Sequence, residues 1–233
     1  MSDPPKRRMV RPPGEGPVRP NPERLRSGKT RTASSRAWLE RQLADPFAAE
    51  ARSRGYRSRA AFKLAEIDDR FHLIRKGARI IELGCAPGGW LQVALERGAG
   101  RVVGVDLLAV EPLMGATVFQ GDFTDDDCGR RLLGLLGGSP DIVLSDMAPN
   151  TIGHRRTDHL RIVGLIEAAA EFAIAALRPG GAFLAKAFQG GETAQVTARL
   201  KTAFAEVRHV KPSASRSESS ELYLLATGRR AGV

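Results

Sequence analysis

The chain has 233 residues, 42% hydrophobic and 27% charged, with 36 Lys+Arg against 26 Asp+Glu and a formal net charge of +10. This is the composition of a globular protein long enough to bury a substantial core, and it excludes a fibrous or wholly disordered chain. Two cysteines, Cys85 and Cys128, are too few for a disulfide framework. The charged, proline-rich N-terminus is no secretory signal and no run of about eighteen apolar residues offers a membrane span, so a cytoplasmic protein with no membrane partner is expected.

Residues 1–36 hold ten Lys+Arg, three acids and seven of the fourteen prolines, which places +7 of the net charge in this stretch. With almost no large apolar residue it has little to bury against the entropy of ordering. A disordered basic tail is expected, either a solubilising extension or an arm drawn to nucleic-acid phosphates. Residues 37–233 are expected to form a single domain.

Helical spacing predicts helices over Trp38–Ala49 and Arg57–Phe71. A short β-branched run, Arg79–Leu83, predicts the first strand, followed by a helix at Trp90–Leu95. Strands are predicted at Arg101–Asp106 and Thr117–Phe119, a helix at Asp125–Leu136 and a strand at Asp141–Asp146. A long helix over Asp158–Leu177 stops at the breaker cluster Arg178-Pro179-Gly180-Gly181. Strand Ala182–Phe188, helix Gln195–Ala205 and two closing strands, Glu206–Val210 and Glu221–Thr227, complete the chain. Alternating strands and helices predict an α/β, doubly wound, Rossmann-like sheet, mostly parallel, with helices on both faces. The last two strands have no helix between them, so the final one is expected to run antiparallel.

In such sheets ligands sit beyond the carboxyl ends of the strands. Gly84-Cys85-Ala86-Pro87-Gly88-Gly89-Trp90 follows the first strand. It is neither the dinucleotide GxGxxG, which argues against a nicotinamide dehydrogenase, nor a GxxxxGK[ST] phosphate cradle. Asp106 closes the second strand 22 residues past Gly84, where a carboxylate can accept ribose hydroxyls. Asp122, after the third, could accept from an exocyclic amine. The plainer alternative is that the glycines make a turn and the acids cap helices; three such features on successive strand ends favour an adenosine pocket. Cys85 is expected to be a packing residue. The scattered His72, His154, His159 and His209 lack ligand spacing, so no metal is expected.

The glycine loop, together with Ser145-Asp146-Met147-Ala148-Pro149-Asn150, Leu184-Ala185-Lys186-Ala187-Phe188-Gln189-Gly190 and Arg57-Ser58-Arg59-Ala60-Ala61-Phe62-Lys63-Leu64, resembles the FtsJ-type ribosomal RNA 2′-O-methyltransferases. The resemblance runs from about Ser34 to Gly228 and includes the closing Tyr223-Leu224-Leu225-Ala226-Thr227-Gly228. It implies S-adenosyl-L-methionine as methyl donor, with Gly88, Trp90, Asp106, Asp122 and Asp146 as its binding residues. It also implies a catalytic set of Lys63, Asp146, Lys186 and Glu221. Glu82 stands where family members commonly have Asp, and Cys85 where they often have Ala.

Methyl transfer to a hydroxyl requires alignment of the oxygen and removal of its proton. A lysine inside an apolar strand is unusual, and burial beside a second cation, Lys63, would favour a neutral amine at Lys186. Asp146 and Glu221 oppose that and would hold the lysines and the ribose. A snorkelling Lys186 and an edge-strand Glu221 are the plainer alternatives. The basic residues Arg52, Arg54, Arg57, Arg59, Arg155, Arg156, Lys211 and Arg216 are expected to position an RNA by its phosphates. The resemblance implies a uridine ribose of large-subunit (23S) ribosomal RNA within the 50S subunit as substrate and a monomeric enzyme. A transfer RNA target and a non-catalytic ribosome-assembly factor are the alternatives.

Overall fold

The computed structural model describes residues 45–148, 155–188, 193–216 and 219–232, with residues 155–160 described by backbone alone. The expected tail and the expected start of the first helix at Trp38 lie outside these residues. Helix α1 spans Pro46–Ser53: the Asp45 side chain accepts from the amides of Phe47 and Ala48, and Pro46 occupies the first helical turn. An acidic cap followed by proline is a strong start signal, and it carries the helix past Ala49. Helix α2 spans Ala60–Phe71 and starts three residues later than Arg57, because Arg57 and Arg59 are engaged elsewhere.

The remaining elements follow the expected order: β1 (Arg79–Leu83), α3 (Gly89–Glu96), β2 (Arg101–Asp106), β3 (Ala116–Gln120), α4 (Cys128–Leu136), β4 (Ile142–Ser145), α5 (Arg155–Ala176), β5 (Ala182–Phe188), α6 (Thr193–Ala203), β6 (Phe204–Val210) and β7 (Glu221–Arg229). They form one seven-stranded sheet in the order β3-β2-β1-β4-β5-β7-β6. The strands from β3 to β5 pair in parallel, and β7 is antiparallel to both β5 and β6. This is the doubly wound fold expected, with the turnabout confined to β7.

Period-two alternation divides the core between the two faces. Ile81, Leu83, Val143, Phe183, Ala185 and Leu224 pack against Leu132 of α4, Ala169 and Ala173 of α5 and Leu200 of α6. Ile80, Leu144, Leu184, Tyr223 and Leu225 pack against Leu64 and Ile67 of α2 and Trp90 and Leu91 of α3. Lys186 is two residues on from Leu184, and Glu221 two before Tyr223, so both belong to the α2 side. Lys186 and Tyr223 are register partners across β5 and β7, and Phe188 pairs Glu221. An antiparallel strand begins where its parallel neighbours end, which brings Glu221 to the carboxyl edge.

Candidate functional site

The turn after β1 is shaped by backbone constraints. Gly84 has φ 76°, and a Cβ there would lie 2.8 Å from the Met147 amide nitrogen. Only glycine lets this turn meet the loop after β4. Gly88, at φ 111°, is covered by Arg57, whose Nη1 would lie 2.9 Å from a Cβ at that position. Arg57 Nη1 donates to the carbonyls of Pro87 (3.3 Å) and Glu111 (2.6 Å), and Nη2 to that of Pro112 (2.8 Å). Its guanidinium therefore straps the glycine turn to the loop that follows β2. Asp106 completes the frame, with Oδ2 accepting from the Ala86 amide and Oδ1 from that of Leu108, each at 2.8 Å. Gly84 and Asp106 thus line one cleft, and the Arg57 strap fixes the turn beside it.

That cleft has a volume of about 270 Å³ and is lined by Asp106, Leu107, Leu108, Asp122, Phe123 and Asp146 among others. Apolar walls with three carboxylates suit a flat nucleoside that also carries positive charge. Each carboxylate has about four acceptor directions, so Asp106 retains capacity for a ligand beyond its two amides. Asp122 accepts through Oδ1 from the Thr124 amide and hydroxyl, and these bonds hold its carboxyl below the usual range. Gly88 and Trp90 stand apart from the lining: the Trp90 indole is buried on the α2 side, with Nε1 donating to the Ala60 carbonyl at 2.8 Å. Glu82 lies fully buried behind the turn, and its Oε2 has no hydrogen-bond partner. Burial, then the neighbouring charges of Asp146 and Asp106, push its carboxyl well above the usual range. Burial likewise pushes the Cys85 thiol up, as fits a packing residue.

Beside this cleft, five ionisable side chains meet from the end of β4 and from β5, β7 and α2. Lys186 is only 9% exposed. Its Nζ donates to the Asp146 carbonyl at 2.7 Å and lies 3.1 Å from Asp146 Oδ1. The Tyr223 hydroxyl donates to that same Oδ1 at 3.1 Å. Lys63 reaches down from α2 to Glu221 Oε1 (2.6 Å), with its ammonium 5.9 Å from the centre of the Tyr223 ring. Burial pushes the Glu221 carboxyl up, but Lys63, the Ser215 hydroxyl bonded at 2.9 Å and Lys186 outweigh it and hold it below the usual range. Tyr223 is pushed well above its ordinary value by burial, then by Asp146 and Glu221.

All four expected catalytic residues therefore belong to one neighbourhood, with Asp146 shared between the cleft and the lysine crevice. Tyr223 is the member that sequence reasoning missed; its position opposite Lys186 follows from an antiparallel β7 and could have been counted from Glu221. Several of the basic residues expected to dock RNA have partners within the protein. Arg57 holds backbone carbonyls, Arg54 pairs Glu50, and Arg59 and Arg216 both pair the buried Asp45. Arg59 also donates to the Ala214 carbonyl, and Lys211 to that of Ser219. Arg59, Lys63, Arg216 and Glu221 nevertheless line a polar hollow beside the crevice. The side chains of Arg155 and Arg156 lie outside the described residues.

A carboxylate-lined cleft next to a lysine–carboxylate crevice, at the carboxyl edge of a doubly wound sheet, is the arrangement expected of a Rossmann-like transferase. The model of the FtsJ-like methyltransferase family matches residues 56–229, and the chain belongs to that family. It is similar to the ribosomal RNA large subunit methyltransferase E of Caulobacter vibrioides, at 62% identity over 222 residues, covering 94% of this chain and 98% of the relative. The protein of the same description from Granulibacter bethesdensis is 59% identical over 206 residues, covering 88% of this chain and 90% of the relative. Among solved structures, a Plasmodium falciparum chain described as a ribosomal RNA methyltransferase superposes with a TM-score of 0.67 at 30% identity, covering 75% of this chain and 98% of that one. No helix among the described residues is long and apolar enough to cross a membrane.

Proposed function

We propose that this protein transfers a methyl group from S-adenosyl-L-methionine to the ribose 2′-hydroxyl of a uridine in large-subunit (23S) ribosomal RNA, acting as a cytoplasmic monomer on the assembled 50S subunit. The observation that carries this reading is that Asp146 belongs at once to the nucleoside cleft and to the Lys186–Tyr223 crevice, so a donor and an acceptor bound in the two halves meet at its carboxylate. The RNA target follows from the relatives' described substrate.

S-adenosyl-L-methionine supplies an activated methyl on a sulfonium, which leaves the protein to align the acceptor and remove its proton. Asp106 accepts from the ribose hydroxyls of the donor, Asp122 from its adenine amine, and Asp146 favours its positive charge. Gly88 and Trp90 contribute through the backbone of the turn. On the acceptor side Lys63, held by Glu221, positions the RNA ribose. Lys186 takes the 2′-hydroxyl proton on Nζ, oriented by its hydrogen bond to the Asp146 carbonyl. Asp146, oriented by the Tyr223 hydroxyl, then stabilises the ammonium that results, so the proton has a destination as the oxygen is methylated.

The test is methylation in vitro with labelled donor, offering 50S subunits, free 23S RNA and transfer RNA side by side. Label confined to subunits, at one uridine whose 3′ linkage becomes resistant to alkali, is the expected result. Label on a base, on transfer RNA alone, or on nothing overturns the proposal.

A further inference from the structure

At the opposite edge of the sheet, where β1, β4 and β5 begin and β7 ends, lies a cavity of about 940 Å³. Strand β5 separates it from the catalytic crevice: Ala182 lines the cavity and Lys186, four residues on, is about 13 Å away at strand spacing. Five cations line it, Arg70, Arg75, Lys76, Arg178 and Arg208, against two acids, Asp141 and Glu206. Both acids are already engaged. Asp141 pairs Arg178 and accepts from the Arg79 amide at 2.7 Å, and Glu206 pairs Arg208. Arg75 and Lys76, exposed on the turn between α2 and β1, have no carboxylate in ion-pair reach among the described residues.

The two edges differ in how their positive charge is balanced. Around the crevice Lys63, Lys186, Arg59 and Arg216 each face a carboxylate. At the far edge Arg70, Arg75 and Lys76 face no such carboxylate among the described residues. Arg70 and Arg208 also lie over the Phe71 ring, at 5.0 and 5.8 Å from its centre, so guanidinium groups and an aromatic face occupy one wall. Uncompensated cations beside a partly exposed ring match a sugar–phosphate backbone with its bases alongside. We propose that this cavity is a second RNA-binding site, gripping the phosphate backbone of the RNA substrate at the sheet edge opposite the reacting ribose. The inference rests on the RNA-methylating reading above, and Arg75 and Lys76 are its principal phosphate contacts.

The test uses the full chain and an Arg75→Gln/Lys76→Gln variant, whose exposed positions leave the core untouched. The equilibrium constant for binding RNA is measured against salt, alongside methylation kinetics on 50S subunits and titration with inorganic phosphate and ATP. Losing two phosphate contacts should lower the slope of log K against log[salt] by about 1.4–1.8 and raise the RNA KM at least about tenfold in 0.1 M salt. The kcat and the donor dissociation constant should stay unchanged. An unaltered slope and KM overturn the proposal. So does binding of phosphate or ATP that the variant loses while RNA binding persists, which would assign the cavity to a small anion. Should the wild-type chain methylate no RNA, the catalytic reading fails, while the binding slope still decides the cavity.

Discussion

The two halves of the crevice are built by different means. The donor half is framed by backbone: amides of Ala86 and Leu108 fix Asp106, and carbonyls of Pro87, Glu111 and Pro112 fix Arg57. The acceptor half is framed by side chains, with Lys63 on Glu221, Lys186 and Tyr223 on Asp146, and Arg59 and Arg216 on Asp45. Their charges also differ: three carboxylates line the first half, whereas in the second each lysine and arginine faces a carboxylate. The contrast teaches that one half can be altered without disturbing the other, except at Asp146, where they join.

Lys186→Ala breaks the acceptor half most sharply. Removal of a general base typically costs about 10²–10⁴ in rate, so kcat should fall by that factor. Donor binding, measured by calorimetry, should be unchanged, since Lys186 does not line the nucleoside cleft. A variant with nearly full turnover removes Lys186 from the mechanism. A variant that no longer binds donor contradicts the independence of the two halves.

Arg57→Ala probes the other half. The guanidinium makes three hydrogen bonds, one to the glycine turn and two to the loop after β2. Losing them should raise the donor KM about tenfold, about 1.4 kcal/mol, with kcat retained at saturating donor. The salt dependence of RNA binding should not move, because the Arg57 guanidinium is held by three carbonyls. A slope that falls by about one with donor affinity intact would instead make Arg57 a phosphate contact, as its place in a run of arginines suggests.

Charge density along the chain could not reveal that distinction. Arg52, Arg54, Arg57 and Arg59 look alike in sequence, yet Arg57 turns to the donor turn and Arg59 to Asp45, because their partners come from residues far away in the chain. By contrast, the succession of strands and helices along the chain, the antiparallel β7 and the meeting of Asp146, Lys186 and Glu221 were legible. They follow from strand ends and period-two alternation, which are local patterns. Helix starts fell between these cases. Asp45-Pro46 is a cap that sequence reading passed over, and α2 begins at Ala60 only because the residues before it serve as braces. Tyr223 needed one further step, the register of β7 against β5, and Asp45 as a shared partner of two arginines needed the tertiary structure itself.

The last expected effect, on stability rather than turnover, concerns Glu82, the buried carboxyl behind the glycine turn. Its folded-state pKa lies above the ordinary carboxylate value of about 4.3, since burial, Asp146 and Asp106 all disfavour its ionised form. The folded protein therefore holds a proton that the unfolded chain releases. By linkage the stabilisation is complete below the unfolded value and is lost as pH rises toward the folded one, by up to about 1.4 kcal/mol per pH unit. Glu82→Gln keeps the shape of the protonated side chain and cannot ionise. Its urea midpoint, followed from about pH 5 to pH 9, should fall less steeply with pH than that of the wild type, and the two curves should diverge at the alkaline end. Parallel curves would mean that Glu82 carries its charge in the folded protein and that a cation neutralises it there.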